Sequence, residues 1–400
     1  MLAGIRRVFS QGFRVFFLAA GVFGVLTGAI WALWLMGQAG EGSSVASSAA
    51  MTPTLWHAHE MVFGYGAAAL GGFFLTAVPN WTDTPSARSA FLAVAALAWA
   101  AGRLVLWYSG TMPLGAVAAI DLLFVPILGS KIASQLVKRP KPQNVMFLGI
   151  LALYWAGNLR MHLDWMDLPG GDAGAGLRTG LFALCAMIAI LGGRITPAFT
   201  RNAMNRAGAP ETVWPVSVAK IEKPTVVLAL ALPLTVLFGL PAPISGAIAV
   251  VFGVLQLLRV SKWGWRWALR QPILIALHLG IVMLGLGMLA WGAAALGLGQ
   301  EIAALHLLGI GCVGGMTLAV MSRASLGHSG RPLVAPKPVA LGYVLIPLAA
   351  FLRWLGAEAG EGLYYPMMIA ASLTWALVFA LFLVALWPAL TGPRLGAQDG

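Results

Sequence analysis

Long apolar stretches alternate with short polar and basic ones along almost the whole chain. Each stretch is close to the length of about 20 residues at which an α-helix crosses a hydrocarbon core of about 30 Å. The pattern predicts twelve membrane helices, at residues 13–36, 57–79, 89–108, 112–130, 145–163, 178–194, 225–240, 242–260, 271–296, 302–322, 338–355 and 364–388. Pro233, Pro241 and Pro243 leave an alternative for the seventh and eighth stretches, which could instead form a re-entrant or kinked unit.

Composition and charge support a membrane protein and predict its topology. With 60% hydrophobic and 10% charged residues, the chain is too apolar for a soluble protein, and one integral-membrane helical domain over residues 1–400 accounts for its length. The net charge of +12 does not indicate nucleic-acid binding, because the basic residues lie in short loops between apolar stretches. All 25 lysines and arginines except Arg103, Arg160, Arg178 and Arg353 fall on one side, which predicts that both termini are cytoplasmic.

The second stretch, residues 55–81, carries the densest chemistry, with His57, His59, Glu60 and Met61 at its start. Ionisable groups at membrane depth usually mark a site or a pathway. In a regular helix His57 and His59 point in nearly opposite directions, and Glu60 and Met61 share the face of His57. Imidazole plus thioether suits copper, whereas the single imidazole of His59 suits one axial bond to haem iron.

The other histidines divide between the two membrane faces. The predicted topology places His162 and His306 on the outer side with His57 and His59, and His278 and His328 toward the inner side. His306 precedes four glycines, which allow close approach of a helix or of a flat macrocycle. Two histidines at similar depth on separate helices can hold one iron from both sides, although glycines and helix-end histidines also serve helix packing alone.

Two further pairs of residues lie inside apolar stretches, one charged pair and one pair of cysteines. Arg103 and Asp121 lie within predicted helices without a partner nearby in sequence, and could pair across helices or belong to a proton route. Cys185 and Cys312 lie in apolar stretches without a metal-binding or disulfide pattern and are interpreted as buried, inert thiols.

The histidine segments resemble the NnrS family of bacterial membrane proteins. The resemblance rests on four segments, WHAHEMVFGYGAAALGGFFLTAVPNWT (56–82), GGRITPAFTRN (192–202), LHLG (277–280) and HLLGIGCVGGMTLAVMSRASLGHSGRP (306–332). It implies an inner-membrane protein that contains haem and copper and relieves nitric-oxide toxicity, as in denitrifying bacteria. Whether such a protein turns over nitric oxide or only protects other centres is open, as is its electron donor.

The family is distantly similar to subunit I of haem–copper oxidases, in which histidines of the second and tenth helices hold a low-spin haem. This chain has no histidine pair on its sixth or seventh stretch, which argues against oxygen reduction. With the depths inferred above, the resemblance implies a b-type haem ligated by His59 and His306, with Arg160, Arg353 and Arg103 as candidates to neutralise its propionates. His57 and Met61 are expected either to bind copper or to support the haem ligands, and His278 could belong to a second metal site or a proton path.

Two other classes of protein compete with this interpretation. Twelve helices with charges inside the bundle also suit a secondary transporter of the six-plus-six kind. A haem- or copper-handling factor would hold its cofactor only loosely. The expected partners are nitric oxide or a related small ligand, the lipid bilayer and an electron donor.

Overall fold

A computed structural model describes residues 2–40 and 48–396, and this part of the chain is built from helices and their connections. Twelve long helices follow one another as α1 (Gly12–Gln38), α2 (Pro53–Thr82), α3 (Ser89–Trp107), α4 (Leu114–Leu136), α5 (Pro142–Trp165), α6 (Ala173–Arg206), α7 (Ala219–Leu237), α8 (Ala242–Ser261), α9 (Pro272–Ala295), α10 (Glu301–His328), α11 (Lys337–Glu358) and α12 (Glu361–Thr391). Each predicted stretch corresponds to one of them. The all-α fold is therefore confirmed.

Ten of the described helices are long and apolar enough to cross a membrane, which defines a multi-pass membrane protein. The other two, α5 and α7, are helical as predicted but more polar: α5 carries Asn158, Arg160 and His162, and α7 begins with charged residues. The count of twelve spans and the cytoplasmic termini stay predictions. Helices α7 and α8 are separate, packed helices, and Pro233 lies inside α7 without ending it.

Four of the helices are irregular. Helix α2 is π-helical at Glu60–Tyr65, α6 at Ile188–Gly192 and α10 at Leu307–Gly314. Helix α4 is interrupted directly after Asp121. Such irregularities leave main-chain groups short of helical partners and often lie at functional sites.

The chain divides into two compact units. The first consists of residues 1–180, 321–333 and 379–400. In it, α1 packs on α2, α2 and α3 pack on α4, and α4 packs on α5.

The second unit consists of residues 181–320 and 334–378. Its closest packing joins α8 to α9 through facing glycines, because a Cβ on Gly253 would lie only 2.7 Å from the Gly285 oxygen. The π-helical part of α10 packs on both α9 and α11.

Candidate functional site

The start of α2 brings His59 into the first unit at a change of helical geometry. Thr52 caps this helix by accepting from the Leu55 amide, and Pro53 occupies the first turn. The helix is regular up to His59 and becomes π-helical at Glu60. Both side chains are buried, with His59 0% and Glu60 1% exposed.

Side chains from neighbouring helices bind the carbonyl groups of this π-helical segment. Three consecutive carbonyls accept hydrogen bonds, from Tyr154 to Val62 (2.8 Å), from Arg103 to Phe63 (2.9 Å) and from Trp99 to Gly64 (2.9 Å). The donors come from α3 and α5. The irregular segment is thus held in place by side chains, and it positions Glu60 beside Arg103.

Asp121, at the interruption of α4, is the centre of a buried polar cluster. Its Oδ2 accepts from the Asn158 amide at 2.8 Å, lies 2.9 Å from His162 Nε2 and lies 3.3 Å from His59 Nε2. Its Oδ1 pairs with Arg103. The break of α4 is stabilised in turn, because Trp155 donates to the Leu122 carbonyl at 3.0 Å.

Arg103 joins the two carboxylates of the cluster. Its Nε lies 3.2 Å from Glu60 Oε2, while its terminal nitrogens contact Asp121 and the Phe63 carbonyl. Buried charges require such pairing, because an isolated ion in an apolar medium is strongly destabilising. Of the two interpretations of Arg103 and Asp121, pairing across helices is the one that the structure shows.

His59 has an oxygen partner on each ring nitrogen. Nδ1 lies 3.1 Å from Glu60 Oε1, and Nε2 lies 2.7 Å from Asn158 Oδ1 as well as near Asp121. The ring also packs against Phe63 at 5.2 Å and Trp165 at 5.4 Å between ring centroids. His59, Asp121 and His162 each offer one ligand atom, and these atoms lie within 4.8 Å of one another.

The face assignment made from regular helix geometry was wrong for Glu60. It placed Glu60 with His57, whereas the carboxylate reaches His59 and Arg103. His57 itself is only half-buried and stacks on Trp31, with ring centroids 4.2 Å apart and planes 9° from parallel. The expected joint copper site of His57 and Met61 stays a prediction.

His306 and Arg353 lie in the second unit, whereas His59 lies in the first. His306 Nδ1 is 2.7 Å from the Ile302 carbonyl, so this nitrogen carries the hydrogen. Arg353 is buried, 8% exposed, and its NH1 has no hydrogen-bond partner among the described residues. The two side chains belong to α10 and α11, which pack together.

The remaining expected site residues have protein partners. Arg160 is 3.7 Å from Asp172. His278 is buried, and its two nitrogens lie 3.0 and 3.2 Å from the Leu274 and Trp263 carbonyls. Carbonyl oxygens only accept, so the structure adds no support for a metal at His278.

Asn158 was not predicted as a member of the cluster, whereas His162 was grouped with His57, His59 and His306 as a possible shared site because all four were placed at one membrane face. The spacing Asn158–His162 (i, i+4) puts two polar side chains on one face of α5, and this signal could have indicated a shared site.

The fold and the cluster define a multi-pass, all-α membrane protein with a buried histidine–carboxylate site that could bind a metal. The family described as NnrS protein matches residues 7–394, nearly the whole chain. The chain therefore belongs to the NnrS family. No curated protein matches the chain.

Proposed function

We propose that this chain is an inner-membrane protein of bacteria that binds haem and copper and acts in the response to nitric-oxide stress. The proposal combines membership of the NnrS family with one observation, the buried guanidinium of Arg353 on the helix that packs against His306. Bound haem would supply an iron that carries electrons or binds nitric oxide. The electron donor and any turnover remain outside the proposal.

His306 suits an axial ligand of haem iron. Its Nδ1–H donates to the Ile302 carbonyl, which leaves the lone pair on Nε2 and orients the ring. One turn further along α10, a Cβ on Gly309 would meet no atom within 4 Å. Helix α10 therefore offers a ligating nitrogen at His306 and, at Gly309, a surface that a flat macrocycle could approach.

Arg353 suits a propionate. The Gln300 amide donates to Glu358 Oε1 at 3.3 Å, which aligns the start of α10 with the end of α11. Helices α10 and α11 run antiparallel, and each residue adds a rise of about 1.5 Å. His306 therefore lies about 9 Å from Gln300 along α10, and Arg353 lies about 7.5 Å from Glu358 along α11, in the same direction. A buried guanidinium at the depth of His306 would gain a charge-assisted, bidentate partner in a carboxylate.

His59 fits the second axial position less well than His306 fits the first. A metal bond to Nε2 would have to replace its contacts with Asn158 and Asp121. We retain His59 as a candidate haem ligand from the family resemblance. Copper at His57 and Met61 likewise rests on the imidazole and thioether donors, which suit copper in its reduced form.

Absorption spectroscopy of the purified protein tests the haem proposal. We expect a Soret band that shifts on addition of nitric oxide, and we expect its loss in His306→Ala. Arg353→Gln should retain the band but bind haem about 10–100-fold more weakly, because hydrogen bonds to charged groups contribute about 1.5–3 kcal/mol. His59→Ala tests bis-histidine ligation separately.

The matched control is His328→Gln, which changes a histidine that stacks on Phe13 in the first unit. It should leave the Soret band unchanged. A wild-type band that persists unshifted in His306→Ala would refute the assignment of His306. A colourless, metal-free protein that folds well would favour the transporter class instead.

A further inference from the structure

We propose that His59, Asp121 and His162 bind a divalent first-row transition metal ion, which makes His59 a ligand of that ion and not of haem iron. The three residues come from α2, α4 and α5 and meet inside the first unit. The exposed fractions of His59, Asp121 and His162 are 0%, 5% and 2%. Because the site uses Nε2 of His59, it leaves axial ligation of the proposed haem to His306.

The spacing of the ligand atoms suits one ion. Asp121 Oδ2 lies 2.9 Å from His162 Nε2 and 3.3 Å from His59 Nε2. Tetrahedral bonds of about 2.0–2.1 Å place neighbouring ligand atoms about 3.3–3.4 Å apart. The two contacts of Asp121 Oδ2 therefore need to lengthen by at most a few tenths of an ångström, and the two histidine nitrogens lie within 4.8 Å of each other.

The hydrogen-bond pattern of His59 calls for a cation at the same point. Its Nδ1 faces the Glu60 carboxylate, and its Nε2 faces Asn158 Oδ1 and Asp121 Oδ2. All three are acceptor atoms with the Asn158 amide as it is oriented here, yet a neutral imidazole has only one N–H. Nε2 must therefore carry either a proton or a metal ion.

The surrounding residues form the supporting contacts that metal sites use. Glu60 accepts from His59 Nδ1, which would direct the lone pair of Nε2 toward the ion. Arg103 holds both Glu60 and the Oδ1 side of Asp121, so that Oδ2 faces the histidines. Two carboxylates and one guanidinium leave one negative charge, which attracts a cation in a buried site.

The donor set selects the class of metal. Two imidazoles and one carboxylate suit zinc or iron(II), whereas copper(I) prefers thiolate and thioether ligands. Asn158 Oδ1 lies 2.7 Å from His59 Nε2 and could complete the coordination as a fourth ligand. We therefore expect zinc or iron(II) rather than reduced copper.

Metal analysis of the full chain in detergent tests the site. The protein is loaded separately with Zn²⁺, Fe²⁺ or Co²⁺, passed over a desalting column and analysed for all first-row metals, with haem iron measured as pyridine haemochrome and subtracted. We expect about one ion of the loaded metal per chain, counted separately from haem iron and copper, as a three-ligand site would hold. Bound Co²⁺ should show visible absorption bands that report nitrogen and oxygen ligands.

Single ligand substitutions should remove the ion. His59→Gln, Asp121→Asn and His162→Gln are expected to lose stoichiometric metal and the Co²⁺ bands. Glu60→Gln, which alters a supporting contact, should weaken binding about 10–100-fold. The control is again His328→Gln, which should bind like the wild type.

Thermal unfolding shows whether each variant has folded. Asp121→Glu keeps a carboxylate ligand, so this variant should fold and retain the metal. Substoichiometric metal in the folded wild type after loading with each of the three ions would overturn the proposal and assign the cation at His59 to a proton. Equal metal content in wild type and all three ligand variants would overturn it as well.

Discussion

Replacing Arg103 by methionine removes the guanidinium that joins Glu60 to Asp121. Arg103 is itself 9% exposed in its side chain, and it contacts both carboxylates and the Phe63 carbonyl. Methionine keeps much of the volume but removes the buried guanidinium that Glu60 and Asp121 share. Removing one partner of a buried ion pair destabilises proteins by about 3–5 kcal/mol.

This free energy is large enough to measure in detergent. For a cooperative unit of about 150–250 residues, each kcal/mol shifts the melting temperature by about 2–4 °C, so Arg103→Met should melt about 6–20 °C lower. The melting temperature of Arg103→Lys should lie between those of the wild type and Arg103→Met, because lysine keeps the charge but lacks the planar guanidinium that contacts three acceptors. Intrinsic tryptophan fluorescence on heating follows the transition.

Arg353→Met is the matched control, because Arg353 is also a buried arginine but, unlike Arg103, its NH1 has no hydrogen-bond partner among the described residues. In haem-free protein this substitution should leave the melting temperature unchanged or raise it, since an apolar side chain replaces an unpaired buried charge. A decrease for Arg103→Met no greater than that for Arg353→Met would refute the reasoning. The cluster would then not depend on the guanidinium.

Two further predictions concern packing. Gly157→Ala should destabilise the protein by about 1–3 kcal/mol in thermal unfolding, because its Cβ would lie 2.6 Å from the Gly176 oxygen and 2.8 Å from the Gly180 nitrogen. Gly149→Ala in the same helix meets no atom within 4 Å and should be neutral or stabilising, and equal effects would contradict the packing argument. Cys185 and Cys312 are both 0% exposed, so maleimide should label them only after denaturation. Mass spectrometry of the intact protein measures the labelling, and labelling of the folded protein would argue against their burial.

The cysteines and the Arg103–Asp121 pair illustrate the limit of sequence reasoning. That both thiols are buried follows from the apolar stretches around them, and the structure confirms it. Cys312 lies within the π-helical segment Leu307–Gly314, and Cys185 lies just before the π-helical segment Ile188–Gly192; neither irregularity has a corresponding sequence signal. Arg103 and Asp121 were recognised as unusual in a membrane helix, but sequence alone could not choose between a pair and a proton route.

Glu60 shows how helix geometry misleads when a helix is irregular. A period of 3.6 residues assigns it to the face of His57, and the π-helical segment that begins at Glu60 departs from this period. The segment depends on Tyr154, Arg103 and Trp99, which donate to its carbonyls from other helices. A local pattern cannot report partners that distant in the chain.

The sequence by itself determined the helices, because a chain in lipid must bond its own backbone within each apolar stretch, and length and hydropathy alone reveal this. It also pointed to His59 through the improbability of ionisable groups at that depth. Only the tertiary structure decided which groups meet His59, since its closest polar partner, Asn158, is 99 residues away. Packing of α2 against α4 and α5 sets that contact.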